Sequence, residues 1–336
     1  MKVKFGVFLP NYALERLYDT NLEITSAAEK LGLDSVWICD HLTVSSSSPL
    51  SASSSRGEPK TEDILEAWTT LSSFIPHTRR VKLGTLVLCV GFRNPAVLAK
   101  MAATFDVISG GRLILGLGAG WREAEHQMYG LTWEPFQVRL NRLREAVTIV
   151  RRLWDEPVVD FEGQFYTLKQ CEVWPKPLQK PHPPLWFGGG PRDKAFSLVK
   201  EFDGWAPASL AVSEFESRRA SLASISRDRG YPVEVGTELY TSVAENSALA
   251  SEQCGDMIQR FFGCSLQMVK EEKAMIRNSK IGLVVGDPEE CIEQINRFVK
   301  AGVSHFILHF MPMTRESYLT GLELYSKRII PHVRTE

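Results

Sequence analysis

At 336 residues, 44% hydrophobic and 24% charged, the chain has ordinary folded-protein composition and material for a sizeable core. Its net charge of −1 gives no basic field for nucleic acid or an anionic membrane, and no apolar run of about eighteen residues is present to span one. Six cysteines, at 39, 89, 171, 254, 264 and 291, form no C-x-x-C pair, which argues against a zinc site of the usual spacing or a disulfide framework and for buried thiols in a reducing, cytoplasmic setting.

The opening MKVKFGVFLPNY is too short an apolar run for a secretory signal, and VKFGVFLP (3–10) reads as a first strand. Apolar residues at 24, 27, 28 and 31 mark a helix over 21–33, followed by a strand at 35–41 and a helix at 62–75. A strand at 81–90 precedes a helix at 94–109 with proline in its first turn. RLILGLGAG (112–120) is the fourth strand and 138–154 a strong helix. Strands then follow at 185–190, 204–209, 233–243 and 305–311, with helices at 194–202, 213–229, 288–302 and 315–333.

Eight strand–helix units, with strands apolar along their whole length, predict a single (β/α)8 barrel over 1–336 rather than a doubly wound open sheet. Three stretches depart from it. A serine-rich loop at 45–62 follows strand 2, where a barrel carries its active-site loops, and is a candidate mobile lid. A hairpin and proline-rich return occupy 155–184, and a mostly helical excursion spans 244–286.

The stretch LILGLGAGWREAEHQMYG (113–130) has glycines at 116, 118 and 120. A dinucleotide fingerprint needs G-x-G-x-x-G, but its third glycine position is Trp121 counted from Gly116 and Glu123 counted from Gly118. At the end of a barrel strand these glycines instead make room for a ligand. Gly188, Gly189 and Gly190 end strand 5 just before a helix, an order that suits an anion. Arg192 follows them, as a phosphate partner or a solvated helix-start arginine.

The ordered set FGVFLPNY, LGLDSVWICDHL, VKLGTLV, RNPAVLAKMAATFDVISGGRLILGLGAGW and LWFGGG resembles the bacterial luciferase-like monooxygenase superfamily, and within it the branch that uses coenzyme F420, a deazaflavin. The resemblance spans nearly the whole chain and implies the same barrel fold. It implies that Asp40 and His41 meet the cofactor ring and the substrate pocket. It also implies a non-proline cis peptide at Leu86–Val87 behind the ring, Ala119, Gly120 and Trp121 beside the cofactor tail or pocket, and Gly188–Gly190 at the cofactor phosphate. A homodimer is a further implication. Two departures matter. Ala119 stands where luciferase has an arginine for the FMN phosphate, and Trp121 where the F420-dependent sugar-phosphate dehydrogenases have a glutamate.

His41, at a strand's ligand-bearing end, is the candidate catalytic proton carrier. Asp40 points to the opposite face of an extended chain, so the two are not a hydrogen-bonded pair. Glu66 reads first as a capping charge. His305 and His309 share one face of strand 8, but strand 1 lacks the H-x-H of metal-dependent barrel hydrolases, so no metal is expected. The leading expectation is a hydride-transferring oxidoreductase using F420 on a small molecule in an apolar, aromatic pocket. The alternatives are an FMN-dependent monooxygenase and a non-catalytic flavin- or deazaflavin-binding protein.

Overall fold

The computed structural model describes residues 2–12, 14–45, 61–190, 193–271, 275–276 and 279–333. Eight parallel strands close a barrel in chain order: β1 (Lys4–Leu9), β2 (Ser35–Ile38), β3 (Lys82–Thr85), β4 (Leu113–Gly118), β5 (Leu185–Phe187), β6 (Gly204–Trp205), β7 (Glu234–Val243) and β8 (His305–Phe310). The β4–β5 pairing, Leu115 to Leu185, and the β8–β1 pairing, His305 to Lys4, complete the ring. Helices pack outside it, including α1 (Leu17–Leu31), α2 (Ala67–Ser73), α3 (Pro95–Ser109) and α5 (Phe136–Asp155), while the short α4 (Glu123–Met128) follows the end of β4. Helix α3 has its ends written in sequence. Asn94 accepts from the amides of Ala96 and Val97, Pro95 opens the first turn, and Gly110 closes it at φ 71°.

The barrel floor is filled by two fully buried indoles, Trp37 and Trp186, with ring centroids 5.1 Å apart. Glycines on neighbouring strands leave room for them. A Cβ at Gly84 would sit 2.4 Å from the Trp37 ring, and one at Gly236 2.5 Å from the Trp186 ring. Polar atoms among the indoles are paired: Trp37 Nε1 donates to Ser35 Oγ, which contacts His305 Nε2 at 2.7 Å. Glu234 holds His305 Nδ1 and Lys4 Nζ at 3.1 and 2.8 Å. Burial opposes its charge, but His305 and Lys4 outweigh burial and hold its pKa at about 2. Being depressed, that pKa contributes stability above the ordinary carboxylate range, lost as pH falls through the range toward 2.

Several elements differ from their sequence patterns for local reasons. The helix expected over 62–75 begins only at Ala67. Residues ahead of it stay extended because Ile64 bridges Tyr12 and the Leu65 amide donates to Asn11. The strand expected over 81–90 stops at Thr85, before a cis Leu86–Val87 peptide, and resumes as Leu88–Cys89 against Leu117–Gly118. The sixth strand shortens to Gly204–Trp205, ahead of Pro207, which has no amide to donate. The helix expected over 194–202 divides into α6 (Asp193–Phe196) and a 3-10 turn, Val199–Glu201. In the 244–286 stretch, α7 (Ser247–Phe262) and α8 (Leu266–Lys270) are helical, but Leu283–Gly286 is a strand beside Tyr240–Val243. Val159–Glu162 and Thr167–Cys171 pair as an antiparallel hairpin. Val44–Ser45 pairs with Thr61–Glu62, and the serine-rich segment between, the candidate lid, lies outside the described residues. Among the described residues no helix is long and apolar enough to cross a membrane.

Candidate active site

A cavity of about 660 Å³ opens at the C-terminal ends of the barrel strands. It gathers Asp40, His41, Leu86, Val87, Ala119, Gly120, Trp121, Gly188, Gly189 and Gly190 at one place. Arg192 lies outside the described residues. The chemistry-bearing end of a barrel is where such a cavity belongs, since eight loops converge on it.

His41 sits just beyond β2 and is mostly buried. Its Nδ1 lies 3.0 and 3.1 Å from the two carboxylate oxygens of Glu125 on α4. The amides of Leu42 and Thr43 donate to the same carboxylate, and Arg122 reaches it at 3.3 Å. Burial pushes the Glu125 carboxyl up, but the His41 hydrogen bond, the His41 and Arg122 charges and the Thr43 amide overcome it, so its pKa is lowered. With Nδ1 fixed this way, Nε2 is the ring nitrogen left to serve the cavity. The Trp121 indole meets the His41 ring edge-on at 5.3 Å, while itself remaining 47% exposed.

Asp40 points away from His41. Arg93 grips its carboxylate with two hydrogen bonds, 2.6 and 2.8 Å, and the Cys89 amide adds a third at 2.9 Å. Burial pushes this carboxyl up against the pull of Arg93 and the Cys89 amide. Asp40 thus ties the end of β2 to the chain after the cis peptide. Glu66 caps α2 by accepting from the Thr69 amide at 2.7 Å and also takes Arg93 Nη2 at 2.6 Å.

The glycines owe their places to the chain itself more than to a ligand. A Cβ at Gly116 would lie 1.9 Å from the Thr85 carbonyl oxygen, and one at Gly118 or Gly188 would lie 2.6 or 2.4 Å from the Val87 side chain. They let β4 and β5 close on the Leu86–Val87 bulge. Gly190 differs, since a Cβ there meets open space. The anion expectation at Gly188–Gly190 loses two of its supports. The Gly188 amide is spent on the Leu117 carbonyl, and α6 has only four residues, too few for a helix-end field.

Sequence reasoning missed four side chains here: Glu125, Arg93, Arg139 and Glu238. Arg139 lines the cavity, donates to the Gly120 carbonyl and stacks 3.7 Å over the Trp133 ring. Glu125 and Arg93 lie on or beside short turns with no periodic signature. Glu238 had one, a charge inside an otherwise buried strand.

Two cysteines border the cavity, but burial pushes both thiols up, that of Cys89 to about 12, so neither is a ready thiolate. No cluster of metal-ligating side chains occurs among the described residues. His305 lies in the floor and His309 just above it, each bonded to a glutamate of β7.

The sequence profile of the luciferase-like monooxygenases matches residues 3–305. The F420-dependent glucose-6-phosphate dehydrogenase of Amycolatopsis mediterranei is 29% identical over 338 residues, covering 93% of this chain and 94% of that protein. An F420-dependent secondary alcohol dehydrogenase, solved in complex with an F420–acetone adduct, superposes with a TM-score of 0.77 at 25% identity, over the full length of both chains. A monooxygenase of Streptomyces bottropensis superposes with a TM-score of 0.78 at 22% identity, covering 98% of this chain and all of that one, which is a likeness of fold.

Proposed function

The chain belongs to the luciferase-like monooxygenase family, and from that premise we propose that it is an F420-dependent oxidoreductase acting on a small organic molecule. The observation that carries this reading is the cavity itself. It has an apolar back wall at Leu86–Val87, a carboxylate-held histidine at one side, and small residues at Ala119, Ala195, Ala206 and Ala208, which leave room for a flat ring system. These residues fit a deazaflavin, and Arg139 and Lys280, which also line the cavity, would supply positive charge for its anionic tail.

When bound, the deazaflavin supplies two-electron hydride chemistry. The protein's share is positioning and proton handling. Leu86 and Val87 would hold the ring, and the aromatic side chains Phe8, Tyr12 and Tyr240, which also line the cavity, exclude water from it. His41 Nε2 gives a proton to, or takes one from, the substrate heteroatom, while Glu125 fixes the imidazole through Nδ1. Trp121 in place of a carboxylate leaves the mouth less suited to a sugar phosphate. Steady-state turnover of the full-length chain tests the reading, with oxidised cofactor on secondary alcohols and reduced cofactor on enones and imines. Oxygen-independent change in deazaflavin absorbance is expected, and oxygen consumption with reduced FMN alone overturns it.

Glu125 acts through His41 and is a positioning residue. Glu125→Gln is expected to lower kcat about tenfold and Glu125→Ala about a hundredfold, because a small misplacement of an acid–base group is costly. Cofactor affinity, read by fluorescence titration, is expected to be unchanged in both. Equal losses in the two variants, or a matching loss of cofactor affinity, contradict the assignment.

A further inference from the structure

Strands β7 and β8 carry two Glu–His rungs at a spacing of four. Gly236 is in register with His305 and Tyr240 with His309, so both rungs face the barrel interior. The lower rung, Glu234–His305, is electrically closed, because Lys4 Nζ lies 2.8 Å from Glu234 and the Trp37 and Trp186 rings cover His305 edge-on. The upper rung, Glu238–His309, is different. Glu238 Oε1 holds His309 Nδ1 at 2.8 Å, yet among the described residues no lysine or arginine pairs with this carboxylate. The other buried acids of the site each have a guanidinium, Arg93 for Asp40 and Arg122 for Glu125. His309 is fully buried, stacked between Phe8 at 4.5 Å and Tyr240 at 4.6 Å. Glu238 is 9% exposed, and it borders the cavity together with Phe8, Tyr12 and Tyr240.

An acid with no lysine or arginine among the described residues to pair it, framed by aromatic rings in a sheltered cavity, is a receptor for a cation that also donates hydrogen bonds. We infer that Glu238, held in place by His309, is the substrate subsite for a protonated nitrogen, so that the enzyme selects substrates bearing an ammonium- or iminium-type group and disfavours anionic ones. The inference rests on the cavity being the substrate pocket. His309 is the positioning residue, because it takes one carboxylate oxygen and leaves the group aimed by a ring locked between two others.

Calorimetric titration of the full-length protein with cyclohexylammonium, cyclohexanol and cyclohexanecarboxylate tests it. The expected order in the wild type is ammonium tightest and carboxylate weakest. Glu238→Gln is expected to weaken ammonium binding roughly tenfold to a hundredfold and to leave cyclohexanol unchanged. Equal affinity for ammonium and alcohol, a preference for the carboxylate, or equal weakening of both ligands by Glu238→Gln overturns the inference. The wild-type order decides alone if the variant does not fold. F420 fluorescence titration of the same samples separates the two readings. Failure to bind F420 removes the proposed cofactor chemistry, whereas loss of the ligand order removes only the subsite.

Discussion

His41→Asn is expected to lower kcat by about a hundred- to ten-thousand-fold while cofactor affinity stays close to that of the wild type. The asparagine amide can stand where Nδ1 stands and keep the contact with Glu125, 3.0 Å away in the native site. It has no counterpart of Nε2. The variant therefore removes the proton carrier and leaves the mouth of the cavity built as before, with Trp121 and α4 in place. Single-turnover absorbance measurements with saturating cofactor separate chemistry from binding. A kcat within about threefold of the wild type would show that protons reach the substrate by another route.

Arg93→Met is expected to destabilise the fold by about 3–5 kcal/mol, the cost of leaving a buried charge without its partner. Asp40 is 5% exposed, and its oxygens would then keep only the Cys89 amide. The loss should depend on pH. Burial already pushes the Asp40 carboxyl up, and without the guanidinium nothing of comparable strength opposes that push. A carboxyl whose pKa is higher in the folded state binds more protons folded than unfolded, so the variant weakens further as pH rises above the ordinary carboxylate range and recovers as pH falls. Urea denaturation at two pH values measures this. The double variant Asp40→Asn, Arg93→Met is expected to regain part of the loss, because the uncompensated charge is gone. A pH-independent loss of under about 1 kcal/mol would mean that Asp40 and Arg93 are not a buried pair in solution.

The barrel was legible because its strands are apolar along both faces and its helices repeat between them. At α3 the sequence marked the proline of the first turn, and the structure adds the caps at Asn94 and Gly110, each at a position its chemistry favours. What sequence pattern misassigned was set by contacts between distant segments. The early part of the expected second helix is drawn out by Tyr12 and Asn11, some fifty residues away. Residues 116, 118 and 188 are glycine because Thr85 and Val87 lie against them, a reason no local pattern contains. His41 could be found from its place at a strand end, but not its partner, since Glu125 arrives on a six-residue helix 84 positions later. Glu238 and His309 carry a signal of their own in the sequence. A glutamate and a histidine inside buried, otherwise apolar strands carry a desolvation cost that only pairing or a ligand offsets.

The cavity above Trp37 and Trp186 is proposed to hold a deazaflavin. The most direct measurement is a side-by-side fluorescence titration of the purified cofactor-free protein with F420 and with FMN. Saturable binding of F420 in the micromolar range or tighter, with FMN weaker by about tenfold or more, is the expected result. Tight binding of FMN with none of F420 would contradict it and assign the barrel to flavin chemistry instead.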